Sequence, residues 1–536
     1  MSFLFLLLGL VAAPLEQPDT LVICPPDFQK ALQPWVVYRQ QQGHKVLVLP
    51  PASTSYGIKQ TVRRVAAGGN LKYVVLVGDA GDRQGQARHL VPTDYVKAEV
   101  NVKFGSEPEI ATDNTYADPN GDGIPDLAIG RLPVDSPREL TRQINRIKEY
   151  ESSETSGAWQ RRINFVAGVG GFGELVDKLI EQTTKKIVTD LIPASYETTM
   201  TYGSWMSPYC PDPRRFSETC IERFNEGCLF WVYIGHGNRH RLDKIYLPDQ
   251  SHSILDCATA SQLDCRQGSP IAICLACYTG ATDHELDCLA ETMIKQPRGP
   301  IALMCGSRVT MPYAMSVLSL EMLKEYFDGE TPTLGQLILV GKTRMMGPID
   351  ASDPYRNMIE GMGKAFSPRA DLLDKERREH IDLIHLIGDP LLRLKRPDQV
   401  SVATETKAKA GEIVTVNGTS PASGEMVMEV SFARDRFRHR PPRRKEYDSS
   451  EAAFQNYQKV YEQTHELVCQ REVIPITKGE FSTEVKLPED ANGECVLRVM
   501  VVGDREIALG SAPIEVVPKP KRRQAKEESI KPKANR

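Results

Sequence analysis

The sequence predicts an α/β protein with a mostly parallel sheet flanked by helices, followed by a small all-β sandwich. From Thr20 onward, short apolar runs alternate with segments of helical periodicity. Repeated β-α-β units of this kind fold most economically into a parallel sheet covered by helices. Near Pro397 the pattern changes to short alternating apolar runs between turn residues, as at 413–416 and 496–502. Such runs are typical of the strands of a β-sandwich.

The predicted organisation divides the chain into five segments. Its 536 residues are enough for two or three domains. The segments are a signal peptide at 1–17, an N-terminal α/β subdomain at 18–157, a second α/β subdomain at 158–397, a β-sandwich domain with a basic and helical insertion at 398–517, and a disordered basic tail at 518–536. The formal net charge of −4 excludes a strong general attraction to nucleic acid, so we expect no nucleic-acid partner.

The N-terminal segment predicts export. Residues Phe3 to Ala13 are apolar, too few to cross a bilayer as a helix but typical of the hydrophobic part of a signal peptide. We therefore expect a periplasmic, cell-surface or secreted protein that has no stable membrane insertion after the signal is cleaved. An uncleaved anchor and a buried first strand are the alternatives, because no Lys or Arg precedes the run.

The first α/β subdomain is predicted from alternating strands and helices. The strands are Thr20–Cys24, His44–Leu49, Tyr73–Val77 and Leu127–Gly130, and the helices are Phe28–Gln42, Tyr56–Ala67 and Ser136–Glu151. Gly43 ends the first helix, as glycine commonly does. Ser136 is a good N-cap for the third helix.

The second α/β subdomain repeats this pattern. The strands are Arg162–Val169, Leu229–Ile234, Pro270–Leu275 and Pro300–Cys305, with a closing strand within Ile381–Leu392; the helices are Glu174–Leu191, Arg214–Asn225, Cys288–Lys295, Tyr313–Glu325 and Leu334–Met346. The glycine-rich run at 168–173 is not in register with G-x-G-x-x-G and lacks the lysine of a P-loop. We interpret it as a tight turn between strand and helix.

One loop of the first subdomain has most of the pattern of a calcium site. Asp118, Asn120, Asp122 and Asp126 offer side-chain oxygens at relative positions 1, 3, 5 and 9, and Ile124 offers a backbone carbonyl at position 7. The glutamate of a complete EF-hand is absent from position 12. The sequence therefore predicts a structural calcium loop, with a polar turn as the alternative. No organic cofactor is expected.

The cysteines and the basic run of the sandwich each have two interpretations. Cys274 and Cys277 form a C-x-x-C, but no second pair follows at zinc-ribbon spacing, which disfavours a metal or redox role. If the chain is exported, the cysteines at 210–228 and at 257–265 are close enough for local disulfides. The run from Arg434 to Arg444 either contacts an acidic partner or is a solvated loop, which is the commoner case.

The strongest functional signal lies at the ends of two apolar runs. One run ends at Gly235-His236-Gly237 and the other at Ala276-Cys277. Parallel strands present functional side chains at their carboxyl ends, and the separation of 277 − 236 = 41 residues fits one crossover between neighbouring strands. A cysteine nucleophile needs a base nearby, and imidazole acts as base and then as acid. Singly, each residue would more commonly be structural, but together they predict catalysis.

These phrases resemble the caspase-fold cysteine peptidases and, more narrowly, the gingipain group. The supporting stretches are Ile234-Gly-His-Gly237, Leu275-Ala-Cys277, Asp122-Gly-Ile-Pro-Asp-Leu-Ala-Ile-Gly-Arg-Leu-Pro133, Leu289-Ala-Glu291 and Ile387-Gly-Asp-Pro390. The resemblance covers residues 18 to 397. It implies a caspase-like sheet, with the catalytic subdomain at 158–397, and an Ig-like sandwich after it.

The resemblance also implies a cysteine endopeptidase that hydrolyses proteins or peptides through a Cys–His dyad. Cys277 would be the nucleophile and His236 the general base and acid, while the backbone amides of Gly237 and Cys277 would form the oxyanion hole. Structural calcium and a basic residue before the scissile bond are further implications. An acidic specificity pocket could come from the carboxylates at 283–287, but no residue is assigned to it.

Two other functions are compatible with the sequence. One is a catalytically inactive, peptidase-like scaffold or adhesion protein that binds a partner through the β-sandwich and the basic run. The other is an intracellular caspase-like peptidase that keeps its N-terminus.

Overall fold

The computed structural model describes residues 17–81, 90–152, 156–171, 173–247 and 250–519. The predicted signal peptide, apart from Gln17, and the predicted tail beyond Lys519 lie outside the described residues. No helix of the described ranges is long and apolar enough to cross a membrane.

One large sheet forms the centre of the α/β part. Its strands are β1 (Thr20–Ile23), β2 (Val46–Leu49), β3 (Tyr73–Val77), β6 (Ala128–Leu132), β7 (Arg162–Ala167), β8 (Glu197–Tyr202), β9 (Phe230–Ile234), β14 (Ile271–Leu275), β15 (Ala302–Gly306) and β16 (Ile384–Ile387). They lie in the order β2-β1-β3-β6-β16-β15-β14-β9-β7-β8. Neighbouring strands are parallel, except that β15 and β16 are antiparallel. The two predicted α/β subdomains therefore share one continuous, mostly parallel sheet.

Ten helices accompany this sheet in the described part of the chain. They are α1 (Pro26–Gln41), α2 (Ser55–Ala66), α3 (Pro137–Glu151), α4 (Glu174–Leu191), α5 (Phe216–Asn225), α6 (Leu289–Lys295), α7 (Pro312–Asp328), α8 (Leu334–Met346), α9 (Pro354–Phe366) and α10 (Leu373–Leu383). Helices α9 and α10 were not predicted from the sequence. The reason is clearest for α10, because its buried face carries Glu376, Glu379 and His380 beside its apolar residues. An apolar periodicity is therefore weak.

The sheet has an apolar core on each face. Along β9, Phe230 and Val232 belong to a core cluster that includes side chains of α1, α3, α7 and α8. Trp231 and Tyr233 belong to a second cluster that includes side chains of α5 and α6. This alternation follows from the two-residue repeat of a strand. Burial on both faces explains why the central strands are continuous apolar runs.

The turn after β16 ties the closing strand to the first helix. Asp389 accepts hydrogen bonds from Trp35 Nε1 at 2.5 Å and Arg39 Nη2 at 2.7 Å. Arg39 also pairs with Glu151 at the end of α3, at 2.8 Å. The Gly-Asp-Pro turn is thus an anchor for helices on one face of the sheet, because buried charges are stable only when paired.

The remaining strands form small ribbons and the sandwich. The ribbons are β4 (Asp94–Lys97) with β5 (Glu109–Thr112), β10 (Gly237–Asn238) with β11 (Arg241–Leu242), and β12 (Lys244–Tyr246) with β13 (Ser251–Ser253). One sheet of the sandwich contains β17 (Asp398–Gln399), β19 (Lys407–Lys409), β21 (Gly424–Phe432), β22 (Val468–Ile476), β24 (Gly493–Val502) and β25 (Ile507–Val517). The other contains β18 (Ser401–Ala403), β20 (Ile413–Ser420) and β23 (Gly479–Lys486). Helix α11 (Glu451–His465) is the helical insertion.

The basic run of the sandwich corrects the interpretation of a solvated loop. Arg434 donates hydrogen bonds to the carbonyls of Val188 and Ile192 at 2.8 Å each, at the C-terminal end of α4. Arg444 donates to the carbonyls of Trp205 and Ser207 at 3.2 and 2.6 Å. A guanidinium at a helix C-terminus satisfies free carbonyls and the negative end of the helix dipole. These arginines attach the sandwich to the α/β part, and an external acidic partner is not needed to explain them.

All twelve cysteines are free thiols. The suggested local disulfides among the cysteines at 210–228 and at 257–265 are therefore absent from the structure. Most of these thiols are buried, and burial raises the pKa of Cys274 to about 12. Cys274 is accordingly a packing residue, as the rejection of the C-x-x-C motif implied.

Candidate active site

The structure places His236 and Cys277 at the same edge of the sheet. Strands β9 and β14 are adjacent and parallel, and Ile234 is paired with Leu275. His236 and Cys277 each follow two residues after this pair, so both leave the sheet at the same level. The backbones also approach closely, because a Cβ atom on Gly237 would lie 2.9 Å from the carbonyl oxygen of Cys277. Only glycine allows this contact.

The glycine-rich turn after β7 packs on His236. Gly171 has a φ of 148°, and a Cβ atom on it would lie 2.9 Å from Nε2 of His236. A larger residue at this position would both strain the backbone and displace the imidazole. Gly171 thus makes room for the candidate base, and Gly168 makes room for Asp243, because a Cβ atom on it would lie 2.8 Å from Oδ2 of Asp243.

The sulfur of Cys277 is held by a residue that the sequence analysis did not identify. Thr310, in the loop after β15, donates from its backbone N–H to Sγ at 3.3 Å. Its hydroxyl lies 3.7 Å from Sγ, and its carbonyl oxygen accepts from the thiol at 3.7 Å. The sulfur is therefore in contact with two donors and one acceptor of the same residue. No sequence motif marks Thr310, because the loop brings it there.

The residue after Cys277, Tyr278, has a strained backbone. Tyr278 has a backbone φ of 59°. In the described part of the chain, no other non-glycine residue has a positive φ. Its hydroxyl donates to Glu107 at 2.6 Å, and the guanidinium of Arg239 lies 4.9 Å from its ring centroid. Arg239 also pairs with Glu107 at 2.6 Å. Such strain commonly marks a functional site, and here the side-chain contacts hold it in place.

The strained turn leaves the backbone N–H of Cys277 available to a ligand. The N–H of Tyr278 donates to the carbonyl of Arg308 at 3.0 Å. Within the described ranges, the N–H of Cys277 donates to no protein group. A free amide beside the sulfur is what an oxyanion hole requires. Gly237, the other predicted donor, lies against the same backbone.

A buried histidine fixes the loop that carries Thr310. His380, on α10, accepts a hydrogen bond from the N–H of Met311 at 2.8 Å through Nε2. Its Nδ1 lies 2.6 Å from the carbonyl oxygen of Glu376, to which it donates. Burial lowers the pKa of His380 to about 4. The imidazole is therefore neutral at physiological pH, as a ring that both accepts and donates must be.

Two of the acidic residues that follow Cys277, Asp283 and Asp287, are paired inside the protein. Asp283 forms an ion pair with Arg308 at 2.6 Å and accepts from the hydroxyl of Tyr95 at 3.1 Å. Asp287 pairs with Lys295 at 2.7 Å. Both carboxylates therefore already have partners inside the protein, and the suggestion of a specificity pocket built from them finds no support.

A cavity of about 390 Å³ adjoins His236 instead. Its lining includes the charged residues Arg241 and Asp243. The carboxylate of Asp243 accepts hydrogen bonds from the backbone N–H of Val169 at 3.2 Å and from the backbone N–H of Lys244 at 2.8 Å. A carboxylate has about four acceptor positions, so Asp243 keeps capacity for a ligand.

Three carboxylates, two of them in the segment that follows Cys277, form a candidate cation site that was not predicted from the sequence. Oxygens of Asp79, Asp287 and Glu291 lie within 4.8 Å of one another. Glu291 is 2% exposed, and its Oε1 has no hydrogen-bond partner among the described residues. Burial, and then the charge of Asp79, raise the pKa of Glu291 well above its usual value. Oxygen ligands with an unsatisfied buried carboxylate suit Ca²⁺ or Mg²⁺.

The predicted calcium loop is a turn held by hydrogen bonds to its own side chains. Asp118 accepts the N–H groups of Gly121 at 2.7 Å and Gly123 at 2.9 Å. Asp126 accepts from the side-chain amide of Asn120 at 3.2 Å. Burial, and then the charges of neighbouring carboxylates, raise the pKa of Asp126. The loop is stable as a polar turn, and the mutual repulsion of its carboxylates would be relieved by a cation.

Comparisons with known proteins agree with this geometry. The model of peptidase family C25 matches residues 13–395. Lys-gingipain of Porphyromonas gingivalis is 23% identical over 286 residues, which is 51% of this chain and 15% of the relative. Gingipain R2 of Porphyromonas gingivalis is 23% identical over 441 residues, which is 77% of this chain and 53% of the relative. The chain thus spans about half the length of gingipain R2 and a smaller share of Lys-gingipain.

The comparison of folds covers both parts of the chain. The crystal structure of the Arg-specific cysteine proteinase gingipain R superposes with a TM-score of 0.54 at 18% identity. The match covers 94% of this chain and 99% of the other. The predicted fold class, an α/β sheet followed by a sandwich, is confirmed.

Proposed function

The chain belongs to peptidase family C25, and from this premise we propose that it is a cysteine endopeptidase acting on proteins or peptides. The observation that carries the proposal is the register of β9 and β14, which places His236 and Cys277 at one level of one sheet edge. A free amide at Cys277 and a strained residue after it support the same function.

The proposed reaction begins with the transfer of the thiol proton of Cys277 to His236. The thiolate attacks the carbonyl carbon of the scissile peptide bond, and the electron pair of the C=O bond moves to oxygen. When the tetrahedral intermediate collapses, the C–N bond breaks and His236 gives its proton to the leaving amine. Water then attacks the thioester with His236 as base, which releases the acid and restores the thiol.

The negative charge on the carbonyl oxygen needs donors during both steps. The N–H groups of Cys277 and Gly237 are the proposed donors. The amide of Cys277 is unpaired within the described ranges, and Gly237 lies against the carbonyl of Cys277. Donors that are fixed before the reaction stabilise the transition state without a reorganisation cost.

For the residue before the scissile bond, we propose a preference for arginine or lysine that rests on Asp243. Its carboxylate lines the cavity next to His236 and is held there by backbone amides. Arg241 lines the same cavity and would favour an acidic residue before the scissile bond. The charges of Asp243 and Arg241 therefore predict opposite substrate preferences. The proteins similar to this chain include a Lys-gingipain and an Arg-specific gingipain R.

Calcium is proposed as a structural ligand at two places. Asp79, Asp287 and Glu291 would hold it near the nucleophile segment, and the unpaired Oε1 of Glu291 fits such a role. The loop from Asp118 to Asp126 would hold a second ion. Bound calcium would neutralise clustered carboxylates and stabilise the fold, and it takes no part in the proposed reaction.

Export through the predicted signal peptide, with a periplasmic, cell-surface or secreted location, is also proposed. The apolar run at Phe3–Ala13 supports it. N-terminal sequencing of the mature protein should find a start near residues 13–17. A mature protein that begins at Met1 would contradict export by this route.

The peptidase proposal is tested with a mixed peptide library. Wild-type protein, Cys277→Ala and His236→Ala are compared, with Cys274→Ala as the matched cysteine control. Cleavage should be lost in the first two variants and kept in the control. If the folded wild-type protein cleaves nothing under reducing conditions with calcium present, the inactive scaffold is the better description.

A further inference from the structure

We propose that Thr310 is a further catalytic residue, whose backbone N–H and hydroxyl hold the sulfur of Cys277 and stabilise its thiolate. This inference rests on the proposed function, since it concerns the same nucleophile. It adds a residue on a third segment, the loop after β15, to the two strand ends that carry His236 and Cys277.

The contacts of the sulfur support this assignment. All the hydrogen bonds of Cys277 Sγ within the described ranges go to Thr310: its N–H at 3.3 Å, its hydroxyl at 3.7 Å and its carbonyl oxygen at 3.7 Å. Sulfur bonds are longer than oxygen bonds, so these distances are those of weak hydrogen bonds. The thiol is thus directed toward one residue rather than packed among apolar groups.

The hydroxyl of Thr310 has no other role in the described structure. Thr310 is 9% exposed, and its Oγ1 forms its hydrogen bond with Cys277 Sγ. A largely buried hydroxyl needs a partner. A valine would fill the same volume without the polar group, so the presence of threonine is explained by the sulfur.

The surrounding protein fixes Thr310 in this position. His380 accepts the next amide, that of Met311, at 2.8 Å. The side-chain amide of Asn101 donates to the carbonyl of Val309 at 3.4 Å on the other side. Gly306 leaves room for the threonine methyl, because a Cβ atom there would lie 2.6 Å from Thr310 Cγ2. The donors therefore meet the sulfur without moving.

The same residue serves both protonation states of the nucleophile. In the resting thiol, S–H donates to the carbonyl oxygen of Thr310. When the proton passes to His236, the sulfur becomes an acceptor only, and the N–H and O–H of Thr310 face the new charge. When the sulfur bonds to the substrate carbon, its charge disappears and these two bonds weaken. The other charged groups near this loop are Arg308 and its partners Asp283 and Glu107, at 2.6 and 3.7 Å.

The test measures the reactivity of Cys277 without proteolysis. Wild-type protein, Thr310→Val, Thr310→Ala and Thr310→Ser are treated with iodoacetamide across a pH series. Modification of the Cys277 peptide is quantified by mass spectrometry, and Cys277→Ala gives the background from the other cysteines. Circular dichroism confirms folding, and the alanine variant replaces the valine variant if the latter does not fold.

The valine and alanine variants should alkylate about fivefold more slowly at neutral pH, the size expected for the loss of one hydrogen bond. The midpoint of their pH profiles should move upward, while Thr310→Ser keeps the wild-type profile. A wild-type profile in Thr310→Val or Thr310→Ala would overturn the inference. The peptidase proposal is judged separately, because it depends on cleavage by wild-type protein and these comparisons do not.

Discussion

Replacing Glu429 by glutamine should loosen the attachment of the sandwich to the α/β part. Glu429, on β21, is fully buried and pairs with Arg161 at 3.0 Å, Arg498 at 2.7 Å and Arg471 at 2.7 Å. Arg161 lies just before β7, so this carboxylate connects the two parts of the chain. Its removal takes the paired carboxylate from the buried guanidinium of Arg498 and leaves Arg161 with the longer contact to Glu197 at 3.4 Å.

The size of the effect follows from the pKa of the carboxyl group. Burial alone would raise the pKa of Glu429, but Arg498 and Arg161 lower it from 4.5 to about 2. A difference of ~2.5 pKa units corresponds to about 3 kcal/mol of unfolding free energy at neutral pH. Because the pKa is lowered in the folded protein, this stabilisation is complete above pH 4.5 and is lost as the pH falls toward 2.

Urea unfolding of Glu429→Gln followed by tryptophan fluorescence measures this loss, with Glu484→Gln on an exposed position of β23 as the control. The variant should lose about 3 kcal/mol at pH 7, and the difference from wild type should shrink in acid. The control should change by less than ~0.5 kcal/mol. A loss at Glu429 no larger than that of the control would refute the role of this ion cluster.

Three further predictions concern the site and its supports. Burial lowers the pKa of His380 from 6.5 to about 4, so the wild-type protein should lose stability as the pH falls from 6.5 toward 4. Urea unfolding of His380→Leu should show a shallower loss over this pH range, and the variant should cleave peptides more slowly. An unchanged dependence of stability on pH in this variant would contradict the prediction. Glu291→Gln should raise the melting temperature in the absence of calcium, because it removes a buried acid, but added calcium should raise its melting temperature less than that of wild type. Asp122→Ala tests the loop from Asp118 to Asp126 by the same response to added calcium. If calcium raises the melting temperature of a variant as much as that of wild type, calcium does not bind at the site of that substitution. Asp243→Asn should lower kcat/KM by about tenfold for peptides with arginine or lysine before the scissile bond, while kcat/KM for uncharged peptides stays the same. Arg241→Gln is the control. If this control lowers kcat/KM for acidic peptides by a larger factor, the proposed preference is reversed.

The sequence contained enough information to predict that His236 and Cys277 lie together, because its signals are local. Two apolar runs ending in Gly-His-Gly and Ala-Cys predicted buried parallel strands, and the crossover length predicted that they are neighbours. The structure pairs Ile234 with Leu275, as this reasoning requires. The position of β16 was not predictable in this way. It lies between β15, to which it is antiparallel, and β6, to which it is parallel, and this placement depends on contacts far apart in the chain.

The residues that surround Cys277 were not predictable from the sequence, for a physical reason. Thr310 acts through a loop conformation, and His380 lies on a helix whose buried face is polar. Neither gives an apolar period or a motif. The acidic residues after Cys277 had a visible pattern but an ambiguous role. Asp283 and Asp287 neutralise Arg308 and Lys295, and only the fold shows that pairing.

Trapping of a thioester on Cys277 is the most direct test of the proposed mechanism. A peptide substrate is mixed with the enzyme, the reaction is quenched in acid within the first turnover, and the protein is digested and analysed by mass spectrometry. We expect an adduct with the mass of the acyl part of the substrate on the peptide that contains Cys277. The adduct should be absent in Cys277→Ala and present in Cys274→Ala. Substrate cleavage that continues in Cys277→Ala, or an adduct on another residue, would contradict it.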